Sequence, residues 1–192
     1  MIAPLGEHDR RGLRRRRRVP HLIPPLLQTP EYAAAACQVS QYPPPPADVT
    51  EVSVKNLLRR RQVLNGNDGP GLWTVIEAPA LLRPIAGVEA QVRQLNALIN
   101  AVQAPKIGVQ VNPMATSFLP ACQPFTMFRF SDGKPQVIAI HDQPGDEIVE
   151  RQRNEGYAMT FDRLTVAARR AGETAAILTT IRDQVHTVAA DH

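Results

Sequence analysis

Titratable side chains at the ends of apolar runs are the first candidates for chemistry in this sequence. His141 and Asp142 follow the run QVIAI, with Glu147 and Glu150 close behind, and Glu77 ends the run LWTVIE. General acids and bases often stand at strand ends. However, a solvated turn is the commoner explanation of a His-Asp pair there, and Glu77 has no acid–base partner in view. An enzyme therefore ranks last among the four functions that we consider, after the regulatory domain, the small-molecule sensor and the DNA-binding protein discussed below.

Motifs that carry chemistry by themselves are absent from the sequence. There is no glycine-rich phosphate loop, no nucleophile elbow and no Cys-x-x-Cys pair, and the five histidines lack metal-ligand spacing. We therefore predict a protein that is not an enzyme, without catalytic residues, metal or cofactor.

The positive charge of the chain is concentrated in its first 20 residues. These residues carry seven arginines and two acidic side chains, a net charge of +5, whereas the rest of the chain carries 15 basic and 16 acidic side chains. A body with a net charge of −1 gives no reason to expect nucleic-acid binding by the domain itself.

The block of like charge over residues 14–18 predicts a disordered arginine-rich tail over residues 1–20, followed by a single domain over 21–192. Such a block is also typical of a nucleic-acid-binding arm, although no base-reading element accompanies it. Both interpretations stay open for its five members, which are Arg14, Arg15, Arg16, Arg17 and Arg18.

Cysteine content and hydropathy bear on the compartment. Cys37 and Cys122 are too few for a disulfide framework. No apolar run approaches the ~18 residues of a membrane-spanning helix, and no secretory signal follows the N-terminal charges. The sequence predicts a cytoplasmic protein in which both cysteines are small core residues.

Capping residues and hydrophobic periodicity predict the helices and strands. Thr29-Pro30 predicts a helix start, because threonine caps well and proline fits the first helical position. Further helices are expected over 48–64, 88–102, 160–171 and 174–188, and strands over 72–77, 107–111, 125–130 and 136–140. We therefore predict an α+β fold. A mixed sheet of about four strands packs against helices, with helical N- and C-terminal segments, a parallel pair formed by the first two strands, and Trp73 in the core.

Several of these segments, in this order and spacing, resemble the C-terminal domain of actinobacterial WhiJ-like, antitoxin-like helix-turn-helix (XRE-type) transcriptional regulators. The family pattern Ile-Pro-Gly-Leu-Leu-Gln-Thr-x-x-Tyr-Ala corresponds to Ile23–Ala33. Further matches are Arg61-Gln62, Trp73 to Arg83, Gln94 to Leu98, Val109 to Pro113 and Pro124 to Thr126. The resemblance covers about 21–188.

Three departures limit what the resemblance implies. Pro25 replaces the usual glycine, and Ile85-Ala86-Gly87 shifts the segment after Arg83-Pro84. The first 20 residues are also too few for the helix-turn-helix of the family. Sequence-specific DNA binding is therefore not carried over to this chain.

The resemblance implies a non-catalytic regulatory or partner-binding domain of an antitoxin-like transcriptional regulator, without its own DNA-reading domain. The implied partner is a small BldB-like protein or a helix-turn-helix regulator, and a homodimer is also possible. The resemblance further implies that DNA is contacted only weakly or indirectly and that no membrane is involved. The motif residues expected at the partner interface are Leu27, Gln28, Thr29, Tyr32, Arg61 and Gln62. The alternatives are a small-molecule sensor, with a pocket between the sheet and the helix over 88–102, and a DNA-binding protein acting through the arginine arm.

Overall fold

The computed structural model describes residues 14–19, 22–64, 70–116, 125–129, 137–142, 145–149 and 154–190. Its helices are α1 Pro30–Val39, α2 Ala47–Arg61, α3 Ala78–Leu82, α4 Val88–Ala101, α5 Asn154–Ala167 and α6 Thr174–Ala190. Its strands are β1 Arg14–Val19, β2 Gly71–Glu77, β3 Ile107–Asn112, β4 Phe125–Arg129, β5 Val137–Asp142 and β6 Gly145–Val149. Among the described residues, short 3₁₀ turns at Pro25–Leu27, Gln62–Leu64 and Ala171–Glu173 join some of them.

The strands form one mixed sheet in the order β3-β2-β1-β4-β5-β6. The pairs β3–β2 and β2–β1 are parallel, whereas β1–β4, β4–β5 and β5–β6 are antiparallel. The predicted α+β class and the parallel pair of β2 and β3 are confirmed. The expected count of four strands is wrong, because β1 and β6 were missed.

Strand β1 corrects the prediction for the arginine block. Arg14–Val19 pairs with β2 on one side and with β4 on the other, so these residues are neither a disordered tail nor a free arm. The prediction counted the repulsion among five guanidinium groups and left out the backbone hydrogen bonds that a central strand gains from two neighbours. The rest of the predicted tail, 1–13 and 20, lies outside the described residues.

Helices cover both faces of the sheet. On one face α4 and α6 pack on β2 and β3 through a large apolar cluster that includes Ile76, Leu95, Leu98, Val109 and Leu178. On the other face α5 packs through a smaller cluster of Val75, Phe125, Met127, Phe161 and Leu164. Successive residues of β2 alternate between the two clusters, as the two-residue period of a strand requires.

Strand β3 is an edge of the sheet, and the connection from α5 to α6 covers it. The Arg169 backbone N–H donates to the Val111 carbonyl at 2.9 Å. The Thr174 hydroxyl donates to the Val109 carbonyl at 2.6 Å. Because an open edge can pair with another chain, this cover also protects the sheet from edge-to-edge association.

Most predicted elements are present, with boundary shifts. The predicted helix over 160–171 is wrong at both ends, since α5 spans Asn154–Ala167. Trp73 is not a core residue, because 45% of it is exposed and its indole lies on Gly108 of the edge strand. The hairpin turn expected over 131–134 and Cys122 lie outside the described residues.

No helix in the described part of the chain is long and apolar enough to cross a bilayer.

Candidate functional site

The segment from Ile23 to Tyr32 brings together most of the residues predicted for a partner interface. Thr29 caps α1 as predicted, because its hydroxyl accepts a hydrogen bond from the Tyr32 backbone N–H at 3.3 Å. Pro25 opens a 3₁₀ turn, a position at which the missing N–H of proline costs no hydrogen bond. The proline that replaces the family glycine is therefore compatible with this turn.

Gln94 of α4 holds the backbone of this segment from both sides. Its amide nitrogen donates to the Leu27 carbonyl at 2.8 Å, and its amide oxygen accepts from the Thr29 N–H at 2.6 Å. The Gln94 side chain is fully buried. A helix distant in sequence thus fixes the start of α1.

Two further buried side chains close the segment on itself. The Gln28 side chain donates to the Ile23 carbonyl at 2.6 Å, and the Tyr32 hydroxyl accepts from the Ile23 N–H at 3.3 Å. Burial raises the pKa of the Tyr32 hydroxyl, against smaller lowering effects from the Ile23 hydrogen bond and from Arg83. These contacts tie Ile23, at the start of the segment, to Gln28 and Tyr32 near its end.

The predicted interface residues fall into two groups. Leu27, Gln28 and Tyr32 are buried, so their side chains support the fold and are not displayed on the surface of the chain. Arg61 is partly buried, and its guanidinium donates to the Gln28 carbonyl at 3.4 Å. Gln62 is exposed on the 3₁₀ turn that follows α2. A contribution of Thr29, Arg61 and Gln62 to an interface stays a prediction.

Sequence reasoning missed Gln94 as an organising residue. The signal was present, because Gln94 lies beside Leu95 and one turn before Leu98 on the apolar side of α4. A glutamine on an apolar helix face indicates a buried hydrogen-bonding role, because an unpaired amide would be costly there.

A second polar pair lies at the carboxyl end of the parallel strands. Glu77 of β2 and Asn112 of β3 are register partners, and the Asn112 amide nitrogen donates to the Glu77 carboxylate at 2.8 Å. Both are buried, and the Asn112 amide oxygen has no hydrogen-bond partner among the described residues. Ligands of open sheets with parallel strands bind at this edge.

The strand-end residues His141 and Asp142 reach the same edge of the sheet. Strand β5 runs parallel to β1, because each is antiparallel to β4. Three strand spacings separate β5 from β2, which is about 14 Å. The backbone positions of His141 and Asp142 are therefore too far from Glu77 to form an acid–base pair with it. No cluster of three or more metal-binding side chains occurs within the described residues.

The hairpin of α1 and α2 exposes a surface of both apolar and basic side chains. We call it the hairpin surface, and it consists of Val39, Tyr42, Val49, Val52, Arg59 and Arg60. Lys55 of α2 pairs with Glu51 at 2.7 Å, but Arg59 and Arg60 have no partner in the described structure. The surface thus combines apolar side chains with uncompensated positive charge.

Fold and geometry together define a helix-covered α+β domain with a buried hydrogen-bonded turn and a basic, partly apolar helical hairpin. The chain belongs to the DUF5753 family, a domain of unknown function, whose pattern matches residues 3–180. The matched range includes the arginine block, in agreement with the place of β1 inside the sheet. No curated protein and no solved structure matches the chain.

Proposed function

We propose that this chain is a non-catalytic regulatory domain that binds a protein partner through the hairpin surface. The observation that carries the proposal is the outward side of α2. Val49 and Val52 are 47% and 57% exposed there, and the same helix ends with Arg59 and Arg60, which have no partner among the described residues. The resemblance to antitoxin-like regulators supports the same class of function and proposes a small BldB-like protein or a helix-turn-helix regulator as partner.

The packing of α2 supports this choice of surface. Of its fifteen residues only Thr50 is buried, although the helix carries three valine or leucine residues besides Val49 and Val52. Interfaces gain stability from apolar contact at their centre, whereas charged groups at the rim select the partner. Arg59 and Arg60 would therefore favour a partner with acidic groups.

Affinity capture from native extract tests the proposal. The tagged chain is compared with Val52→Glu, which places a carboxylate on the hairpin surface, and with Met114→Glu, a matched control at an exposed residue after β3. We expect the parent chain and the control to retain one shared partner that Val52→Glu loses. Recovery of no specific partner, or of the same partner with all three proteins, would contradict the proposal.

A small-molecule sensor is the second candidate, and the buried Asn112 amide oxygen favours it. An acceptor of this kind, at the carboxyl edge of parallel strands, suits a ligand that donates a hydrogen bond. A ligand at 100 times its dissociation constant stabilises its protein by about 2.7 kcal/mol. A thermal-shift screen of metabolites should then find a compound whose effect disappears in Asn112→Ala, and a screen without such a compound would exclude this candidate.

A further inference from the structure

We infer that the occupant of the hairpin surface is a second copy of this chain, which binds α2 through the outward side of its own α5. The inference rests on the proposed function, because it names the partner of the same surface. It is carried by two exposed helical stripes of complementary charge within one chain.

The first stripe lies along α2. Val49, Val52, Asn56 and Arg59 are spaced by three, four and three residues, so they share one side of the helix. All four side chains are exposed. The stripe is apolar toward the start of α2 and basic toward its end.

The second stripe lies along α5, where acidic and apolar residues alternate, with an acidic residue first and an apolar residue last. Glu155, Met159, Asp162 and Val166 are spaced by four, three and four residues on the side that faces away from the sheet. Met159 and Val166 are 62% and 86% exposed, and both carboxylates are exposed.

An antiparallel arrangement brings the matching ends together. At about 1.5 Å per residue the α2 stripe is about 15 Å long and the α5 stripe about 16.5 Å long. Val49 then lies opposite Val166, and Arg59 lies opposite Glu155. A parallel arrangement would instead place Arg59 against Val166 and Val49 against Glu155.

The charges at the matched end are available for this contact. Neither Arg59 nor Glu155 has an ion-pair partner in the described structure. The two middle positions oppose Val52 to Asp162 and Asn56 to Met159, so they bring no like charges together. Antiparallel helices also oppose their dipoles favourably.

Each copy carries both stripes, and this determines the possible assemblies. Two copies related by a twofold axis would form two equal α2–α5 contacts and close as a dimer, whereas a single repeated contact gives a ring or an open chain. In each case the mass in solution depends on protein concentration, and the ion pairs make the association weaker in high salt.

Sedimentation velocity over a concentration series, with a matched charge exchange, tests the inference. We expect Arg59→Glu and Glu155→Arg each to weaken self-association about tenfold or more, and the double variant to restore it, because the pair is reversed and not removed. The controls Arg170→Glu and Glu173→Arg make the same charge reversals at exposed residues outside both stripes. They should associate like the parent chain.

The inference would be overturned if the parent chain stayed monomeric at its highest soluble concentration. It would also be overturned if the single variants associated normally. The same holds if the double variant had a native circular dichroism spectrum but stayed monomeric. A monomeric chain that still captures another protein through Val52 would leave the proposed function standing and exclude only the second copy. A parent chain that neither self-associates nor captures a partner would contradict both the inference and the proposed function.

Discussion

Gln94 is the residue on which the buried turn depends most directly. Replacement by methionine keeps a long side chain but removes both hydrogen bonds, which leaves the Leu27 carbonyl and the Thr29 N–H without that partner. We expect Gln94→Met to lower the free energy of unfolding by about 2 kcal/mol or more. Urea denaturation measures the change.

The matched control for this prediction is Gln103→Met, the same substitution at an exposed residue just after α4. It should change the stability by less than about 0.5 kcal/mol. Equal effects of the two substitutions would show that the Gln94 hydrogen bonds do not stabilise the turn.

Tyr32 gives the fold a pH dependence at its alkaline limit. Because burial raises its pKa above the ordinary 10.0, the folded chain keeps the hydroxyl proton where the unfolded chain has lost it. The contribution of this proton is complete below pH 10 and decreases as the pH rises from about 10 towards the folded pKa. Urea denaturation of the parent chain and Tyr32→Phe over this range should show the two stabilities converging. A constant difference would argue against ionisation of Tyr32.

At the scale of elements, α4 begins at a backbone conformation that requires glycine. Gly87 has φ 83° and ψ 162°, and no atom of the described residues lies within 4 Å of an added Cβ. Gly87→Ala should therefore cost about 1 to 3 kcal/mol through backbone strain alone. Gly156→Ala, inside α5 and equally open, is the control and should be neutral or stabilising. Thermal unfolding of both variants distinguishes strain at residue 87 from a general effect of the added methyl group.

The segment that covers the β3 edge is held by the Arg169 backbone bond, by the buried Thr174 hydroxyl and by two hydrogen bonds from the Gln110 side chain. Thr174→Val removes the hydrogen bond to the Val109 carbonyl while it keeps the shape of the side chain. We expect a loss of about 1 to 3 kcal/mol by chemical denaturation. Thr180→Val, on the exposed side of α6, is the matched control. If both variants unfold at the same denaturant concentration, the edge is protected by other contacts.

Local patterns in the sequence predicted α1, α4, β2 and β3 well, because capping and periodicity act within a few residues. The start of α1 at Thr29-Pro30 was correct to the residue. The hydrogen bonds of Gln94 could not be predicted in the same way, because their partners are separated from Gln94 by 65 and 67 positions in the sequence. The pairing of Glu77 with Asn112 likewise depends on strand order, which no local pattern contains.

At the scale of the whole molecule, β1 joins the two halves of the sheet. It pairs with β2 of the parallel part and with β4 of the antiparallel part. A sequence argument based on charge alone separates this strand from the domain, because the repulsion among its arginines is visible in the sequence and its pairing partners are not. The sheet order therefore changes the expected consequence of removing the N-terminal residues.

Removal of residues 1–19 should abolish cooperative unfolding, because it leaves β2 and β4 without their shared neighbour and exposes two strand edges in the middle of the sheet. Removal of residues 1–12, which keeps all of β1, is the control and should give an unfolding midpoint well above that of the chain without residues 1–19. Thermal melts followed by circular dichroism, together with the hydrodynamic radius, measure both variants. If residues 1–20 were a tail outside the domain, the two shortened chains would behave alike. A chain without residues 1–19 that melts as the full chain does would therefore show that β1 is dispensable to the sheet.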